Sequence, residues 1–261
     1  MQTKEVQGKL WSTAPADWAK HLEPTFIPMY TAVLNRLDLN EEKMVLDAGC
    51  GSGLFLSMVV HTGAAIHGVD AAPGLLAVSK KRLPGVTLLI EDLEAIPFSN
   101  ETFDVVTGFN SFQYAGSFEN ALAEARRVTK KNGKLVVGIW GKEEDCDAGV
   151  ILKAVGSLLP PPPPGTSGPF ALSEDGKVEA ICKSVGLNVI EKQTVFCPWQ
   201  FAGVQDLLDA FMCTGPCVKA AQIVGEQKVK LTIAEKAESF RLAGDIYYMR
   251  NFFTFFIAEK I

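Results

Sequence analysis

The stretch Val45-Leu46-Asp47-Ala48-Gly49-Cys50-Gly51-Ser52-Gly53 constrains this chain more than any other. Met44, Val45 and Leu46 read as a short buried strand, which ends in an acid and then three glycines at alternate positions. Leu54, Phe55, Leu56, Met58, Val59 and Val60 continue as a mostly apolar, helix-like segment. Strand, glycine turn and helix together bring backbone N–H groups and a helix N-terminus against a ligand. Glycine suits the turn because a side chain would block close approach and because such turns use positive φ. The spacing is G-x-G-x-G, with Asp47 two residues ahead. The dinucleotide fingerprint is G-x-G-x-x-G, and Leu54 stands where its last glycine would fall.

Strands and helices alternate after this motif. Ala65–Asp70 reads as a second strand ending in an acid, and a helix is expected over Pro73–Arg82. Asp70 lies 21 residues beyond Gly49, where a doubly wound fold places the carboxylate that accepts ribose hydroxyls. A helix N-cap ahead of Pro73 is the competing role for Asp70. Val86–Ile90 reads as a third strand and Phe103–Phe109 as a fourth, which runs into Asn110-Ser111-Phe112-Gln113-Tyr114. Ligands of open α/β sheets bind outside the carboxyl ends of strands, so Asn110, Gln113 and Tyr114 are expected to border the reacting group. A helix over Phe118–Lys131 closes on Arg126, Arg127, Lys130 and Lys131, cations that complement a helix C-terminus, before Asn132-Gly133 stops it. Lys134–Trp140 is the fifth strand.

The segment after the third strand carries a family resemblance. Asp92-Leu93, then Pro97-Phe98, then Phe103-Asp104-Val105-Val106 follow one another. With Asp47-x-Gly49-x-Gly51-x-Gly53, this pattern resembles the class I S-adenosylmethionine (SAM) dependent methyltransferases. It is most similar to the small-molecule enzymes of the methyltransferase type 11 domain, the ubiquinone/menaquinone-biosynthesis type. The resemblance covers roughly residues 40–140. It implies an α/β fold, doubly wound and Rossmann-like, with seven mostly parallel strands and the last antiparallel. It also implies that Asp92 accepts the adenine amino group and that the Leu93 N–H meets a ring nitrogen. An ordinary charge in an acidic loop is the competing reading of Asp92.

The flanks are less regular. Residues 1–40 carry Trp11, Trp18, His21, Phe26, Tyr30 and Leu34, with helical spacing from Phe26 onward, and are expected to form an N-terminal helical cap. Trp11, Trp18 and Tyr30 serve either core packing or the pocket. The pattern loosens from Gly141 to Pro169, and the prolines 160–164 read as a stiff connecting loop. Ser173–Val185 fits a helix and Asn188–Phe196 a strand. Residues 201–243 read as a helical insertion or lid, broken once at Cys213-Thr214-Gly215-Pro216. Ile246–Ala258 reads as one buried strand. Residues 41–200 and 244–261 would then form the core of a single domain.

Composition bounds the partners. With 48% hydrophobic residues, 21% charged residues and a net charge of −5, the chain reads as an ordinary globular domain without an electrostatic footprint for nucleic acid or an anionic membrane. No apolar run reaches the ~18 residues of a membrane span, and the first residues lack the apolar core of a signal peptide, so the expected location is cytoplasmic. The six cysteines show no zinc spacing and read as reduced thiols.

The resulting expectation is methyl transfer from SAM to a small-molecule acceptor, giving S-adenosylhomocysteine (SAH). The expected cofactor residues are Asp47, Gly49, Cys50, Gly51 and Gly53 of the loop, with Asp70, Ala71, Asp92, Leu93 and Asn110. His21, Tyr30, Asn110 and Tyr114 are the candidates for the chemistry. The sequence has no Asn-Pro-Pro-Tyr motif and no recognisable metal site. A SAM-binding partner protein without catalysis, and an NAD(P)-dependent oxidoreductase, are the alternatives.

Overall fold

The computed structural model describes residues 3–160 and 168–260. The N-terminal region holds α1 (Thr3–Trp11), the single turn α2 (Pro15–Asp17) and α3 (Ile27–Leu34), with π- and 3₁₀-helical turns over 18–26. Strand β1 (Met44–Ala48) follows, then α4 (Leu54–Val59), β2 (Ala65–Asp70), α5 (Pro73–Arg82), β3 (Thr87–Ile90), β4 (Phe103–Phe109), α6 (Phe118–Val128) and β5 (Thr129–Trp140). The second half contains α7 (Ala148–Gly156), α8 (Lys177–Ser184), β6 (Leu187–Phe196), β7 (Trp199–Phe201), α9 (Val204–Met212), α10 (Gly215–Val224), α11 (Glu226–Ala237), β8 (Tyr247–Met249) and β9 (Phe252–Lys260).

Seven strands form one sheet in the order β3-β2-β1-β4-β5-β9-β6. Strands β1 to β5 pair in parallel, and β9 runs antiparallel to both β5 and β6. This is the doubly wound sheet expected from the alternating pattern. Its central strands are covered on both faces, so successive residues enter opposite cores. Val45 packs with Tyr30 and Phe55 in one cluster, whereas Leu46 and Ala48 pack with Ala121 and Leu122 in the other.

Several boundaries differ from expectation. Helix α6 ends at Val128, not Lys131, because Thr129 pairs with Phe103 of β4. The register then jumps to Lys134 opposite Val105, so residues 130–133 bulge out with Asn132 at φ 64°. Arg127 caps no helix dipole alone: its guanidinium donates to Ile96 O at 2.7 Å and Phe98 O at 2.8 Å. The 141–169 region contains α7, which the loosened pattern concealed, and the helix expected over Ser173–Val185 begins only at Lys177.

The insertion holds three helices, since Gly225 at φ 85° separates α10 from α11. The break expected at Cys213-Thr214-Gly215-Pro216 separates α9, which Cys213 caps, from α10, which holds Cys217. The last strand is also divided. Trp199–Phe201 pairs with Tyr247–Met249 in a separate two-stranded ribbon. Pro198, without an N–H to donate, lies between β6 and β7, and Asn251 lies between β8 and β9. Asn251 is buried, and its Oδ1 accepts from Ala148 N at 3.0 Å, starting α7.

The prolines 161–164 of the expected stiff loop lie outside the described residues. Among the described residues no single helix is long and apolar enough to cross a membrane; α9 and α10 reach that length only together, across a 92° bend. All six cysteines are buried and free.

Candidate functional site

The carboxyl ends of β1 to β5 open into a cavity of about 550 Å³, within the range of small-molecule sites. Gly49 and Gly51 line it and Gly53 lies outside it, and the three glycines do three different jobs. Gly49 has φ 86°, and a Cβ there would collide with Ser111 Cβ. Gly53 has φ 82°, precedes α4, and packs against Ser79 and Leu83. Gly51, at φ 53°, faces the cavity: a Cβ would meet only Trp18 Nε1 at 3.6 Å and Glu23 Oε1 at 3.8 Å.

Hydrogen bonds fix the loop. Val69 O accepts from Gly49 N at 2.7 Å and from Cys50 N at 3.0 Å. Asp70 accepts from Gly51 N and from Ala72 N, each at 2.8 Å, so one carboxylate both holds the glycine loop and shapes the start of α5. Burial raises the Asp70 pKa above the usual carboxylate range, with these backbone N–H groups opposing the shift. Asp47 is buried beneath the loop, and Thr107 Oγ1 donates to its Oδ1 at 2.7 Å. Burial pushes its pKa up to about 7, Thr107 opposes this, and the charges of Asp70 and Glu23 add to it.

Of the expected residues, Gly49, Gly51, Asp70, Ala71, Asp92 and Leu93 line the cavity together. Asn110, Tyr114 and Tyr30 join them. Asn110 holds φ 48°, with its N donating to Gly138 O at 2.8 Å and its Oδ1 accepting from Gln113 Nε2 at 3.2 Å. Asp47, Cys50, Gly53 and His21 are not among the lining residues. The Cys50 thiol sits in the core under the loop, its pKa raised by burial and by the charges of Asp70 and Asp47. His21 instead lies against α9, with Nδ1 3.9 Å from Asp206 Oδ1.

The structure adds residues that local sequence did not mark. Glu23 is buried under the loop, bonded to the Ser52 hydroxyl and paired with Arg82 of α5 at 2.8 Å. Helix α1 lies across the polar end, with Lys4 Nζ 3.1 Å from both Ile90 O and Glu91 Oε2. Gly8 of α1 packs so closely on Ala71 O that a Cβ would clash. Phe26, Phe109, Trp140, Trp199 and Phe211 line the other end of the cavity.

The residues present fit a nucleoside-bearing cofactor. Two carboxylates stand at successive strand ends, a Cβ-free position faces the cavity at Gly51, and the buried Trp18 Nε1 beside it has no hydrogen-bond partner. Strand order and glycine loop together give the fold of the class I methyltransferases.

Comparison with known proteins makes the assignment narrower. Residues 46–137 match the type 11 family model described as a methyltransferase domain, and this segment is a methyltransferase domain of that kind. Over 93 residues the chain is 37% identical to a demethylmenaquinone methyltransferase of Renibacterium salmoninarum, covering 36% of this chain and 39% of that protein. Over 146 residues it is 26% identical to a sterol 4-C-methyltransferase of Caenorhabditis elegans, covering 54% of this chain and 44% of that one. The chain thus spans less than half the length of these curated relatives. A solved chain from a complex of the Haloferax volcanii Trm112 methyltransferase activator with a methyltransferase shares the fold. Its TM-score is 0.61 at 18% identity, covering 96% of each chain.

Proposed function

We propose that this protein transfers a methyl group from SAM to a small organic acceptor. The observation that carries the reading is that the glycine loop, Asp70, Asp92 and an aromatic chamber share one cavity at the strand ends. When bound, SAM supplies a methyl group on a sulfonium that is already electrophilic, so the protein's task is to hold, align and exclude water.

The residues divide that task by position. Gly49 and Gly51, with Asp47 beneath them, would receive the amino-acid end, and Trp18 Nε1 is an unpaired donor beside it. Asp70 would take the ribose hydroxyls, with Ala71 alongside. Asp92 would accept from the adenine amino group while the Leu93 N–H meets the ring. Tyr30, Asn110 and Tyr114 border the space where the acceptor and methyl would meet. Burial raises the Tyr30 pKa well above its ordinary value and pushes Tyr114 to about 12, which fits both phenols as hydrogen-bond donors rather than bases. Residues 1–40 would cap the cofactor, and 201–243 would close the acceptor end as a lid.

Calorimetric titration with SAM, SAH and NADH, on wild type and Asp70→Ala, tests the reading. Micromolar binding of both sulfur ligands that weakens in the variant supports it. Binding of NADH alone, or of no sulfur ligand, overturns it.

A further inference from the structure

The acceptor end of the cavity is a chamber of aromatic rings. Phe26 lies 6.3 Å from both Tyr30 and Trp199, centroid to centroid; Trp140 lies 5.6 Å and Phe211 5.9 Å from Trp199; Phe109 lies 4.8 Å from Tyr30. These six rings come from the N-terminal segment, β4, β5, β7 and α9, and all line the cavity.

Among the described residues no group in this chamber is suited to remove a proton. The chain has three histidines, and none of His21, His61 and His67 lines the cavity. The lining carboxylates, Asp70 and Asp92, stand at the strand ends of the polar end. Residues 161–167 are Pro, Gly, Thr and Ser by sequence and offer no base. Lys219, on α10, is exposed at the rim. Six ring faces around one space favour a cation.

We propose, building on the methyl-transfer reading, that this chamber takes an uncharged amine or thioether on an apolar body and stabilises the onium ion that methylation makes of it. The acceptor's lone pair forms the bond to the methyl carbon, and the electron pair of the broken carbon–sulfur bond stays on sulfur. The positive charge thereby passes to the acceptor atom, and no proton moves in the step. A thioether carries no proton to lose, and an amine entering beside bound SAM is favoured in its neutral form by the positive charge of the sulfonium.

The test compares two shape-matched probes on the SAH-loaded protein, benzyltrimethylammonium and its uncharged isostere neopentylbenzene, by quenching of tryptophan fluorescence. Apolar burial alone favours the uncharged probe, because desolvating a charge is costly. The proposal expects the cation to bind tighter by about tenfold. It also expects weaker cation binding with SAM in place of SAH, since two positive charges would then face each other. Trp199→Leu should reduce affinity for the cation more than for the isostere, a split that lost packing alone would not produce. Tighter binding of neopentylbenzene, or of neither probe, by wild-type protein that binds SAH overturns this proposal and leaves methyl transfer standing. Failure to bind SAH at all overturns both.

Discussion

Glu23 Oε2 and Arg82 Nη1 lie 2.8 Å apart beneath the glycine loop, joining the N-terminal segment to α5 across 59 positions of sequence. Arg82 also donates to Ser52 O at 2.9 Å, and the Ser52 hydroxyl donates to Glu23. The loop is therefore held from below by an ion pair whose acid is 3% exposed and whose base is 26% exposed.

Removing one partner of such a pair leaves a buried charge uncompensated, which costs about 3–5 kcal/mol, less here because Arg82 is partly solvated. Arg82→Ala should lower stability by about 2–3 kcal/mol in urea unfolding. Glu23→Gln with Arg82 intact should cost less, since the amide still accepts from Arg82. Equal losses in both variants would show that the pair acts only by packing.

Asp47 gives the protein a pH dependence of unusual sign for a carboxylate. Its pKa stands at about 7, raised chiefly by burial, against an ordinary unfolded value of about 3.9. Between these values the folded protein keeps a proton that the unfolded chain has released. The stabilisation from this group is complete below about pH 4 and is lost as pH rises through about 7. Asp47→Asn keeps an oxygen to accept from Thr107 and abolishes the titration. The variant should be more stable than wild type at pH 8, by a few kcal/mol at order of magnitude, with the difference shrinking toward pH 4. Denaturant curves at pH 4, 6 and 8 check this; parallel pH profiles would remove Asp47 as the source.

Gly51 and Gly53 separate binding from folding. Gly53→Ala drives a Cβ into Ser79 at φ 82°, and should lower stability by about 1–3 kcal/mol in thermal unfolding. Gly51→Ala meets nothing closer than 3.6 Å, so it should cost about 1 kcal/mol from its positive φ. Its Cβ would nonetheless project into the cavity, and calorimetry should show SAM affinity reduced at least about tenfold. Comparable melting losses in the two variants, with SAM binding unchanged in Gly51→Ala, would reverse these roles.

What the sequence disclosed follows from the range over which each feature acts. The loop, Asp70 and the first four strands were legible because strand, turn and helix signals there are local. Asn132-Gly133 was read as a helix stop because positive φ serves a bulge equally well, and only the pairing of Thr129 with Phe103 decides between them. Glu23 sits in an unremarkable Leu-Glu-Pro and acquires its role from Arg82 and Ser52, far away in the chain. The aromatic chamber is likewise assembled from five separate elements. Trp199 and Trp140, 59 residues apart, meet only because β9 lies between β5 and β6 and β7 continues past Pro198. His21 drew notice as a residue type that removes protons, yet its side chain packs toward Asp206.

Asp92 supplies the last prediction, because it both holds a turn and lines the cavity. Oδ1 accepts from Glu94 N at 3.0 Å and holds the turn after β3, while the residue also lines the cavity. Asn in its place keeps an oxygen for Glu94 N, so Asp92→Asn should change unfolding stability by less than about 0.5 kcal/mol. It would lose the charged acceptor for an adenine amino group, a hydrogen bond of about 1.5–3 kcal/mol, or roughly tenfold to a hundredfold in affinity. The calorimetric signature is a weakened Kd for SAM and SAH alike, since both carry the same adenine. Loss confined to SAM would place Asp92 near the sulfonium instead, and unchanged binding of both would remove it from the adenine site.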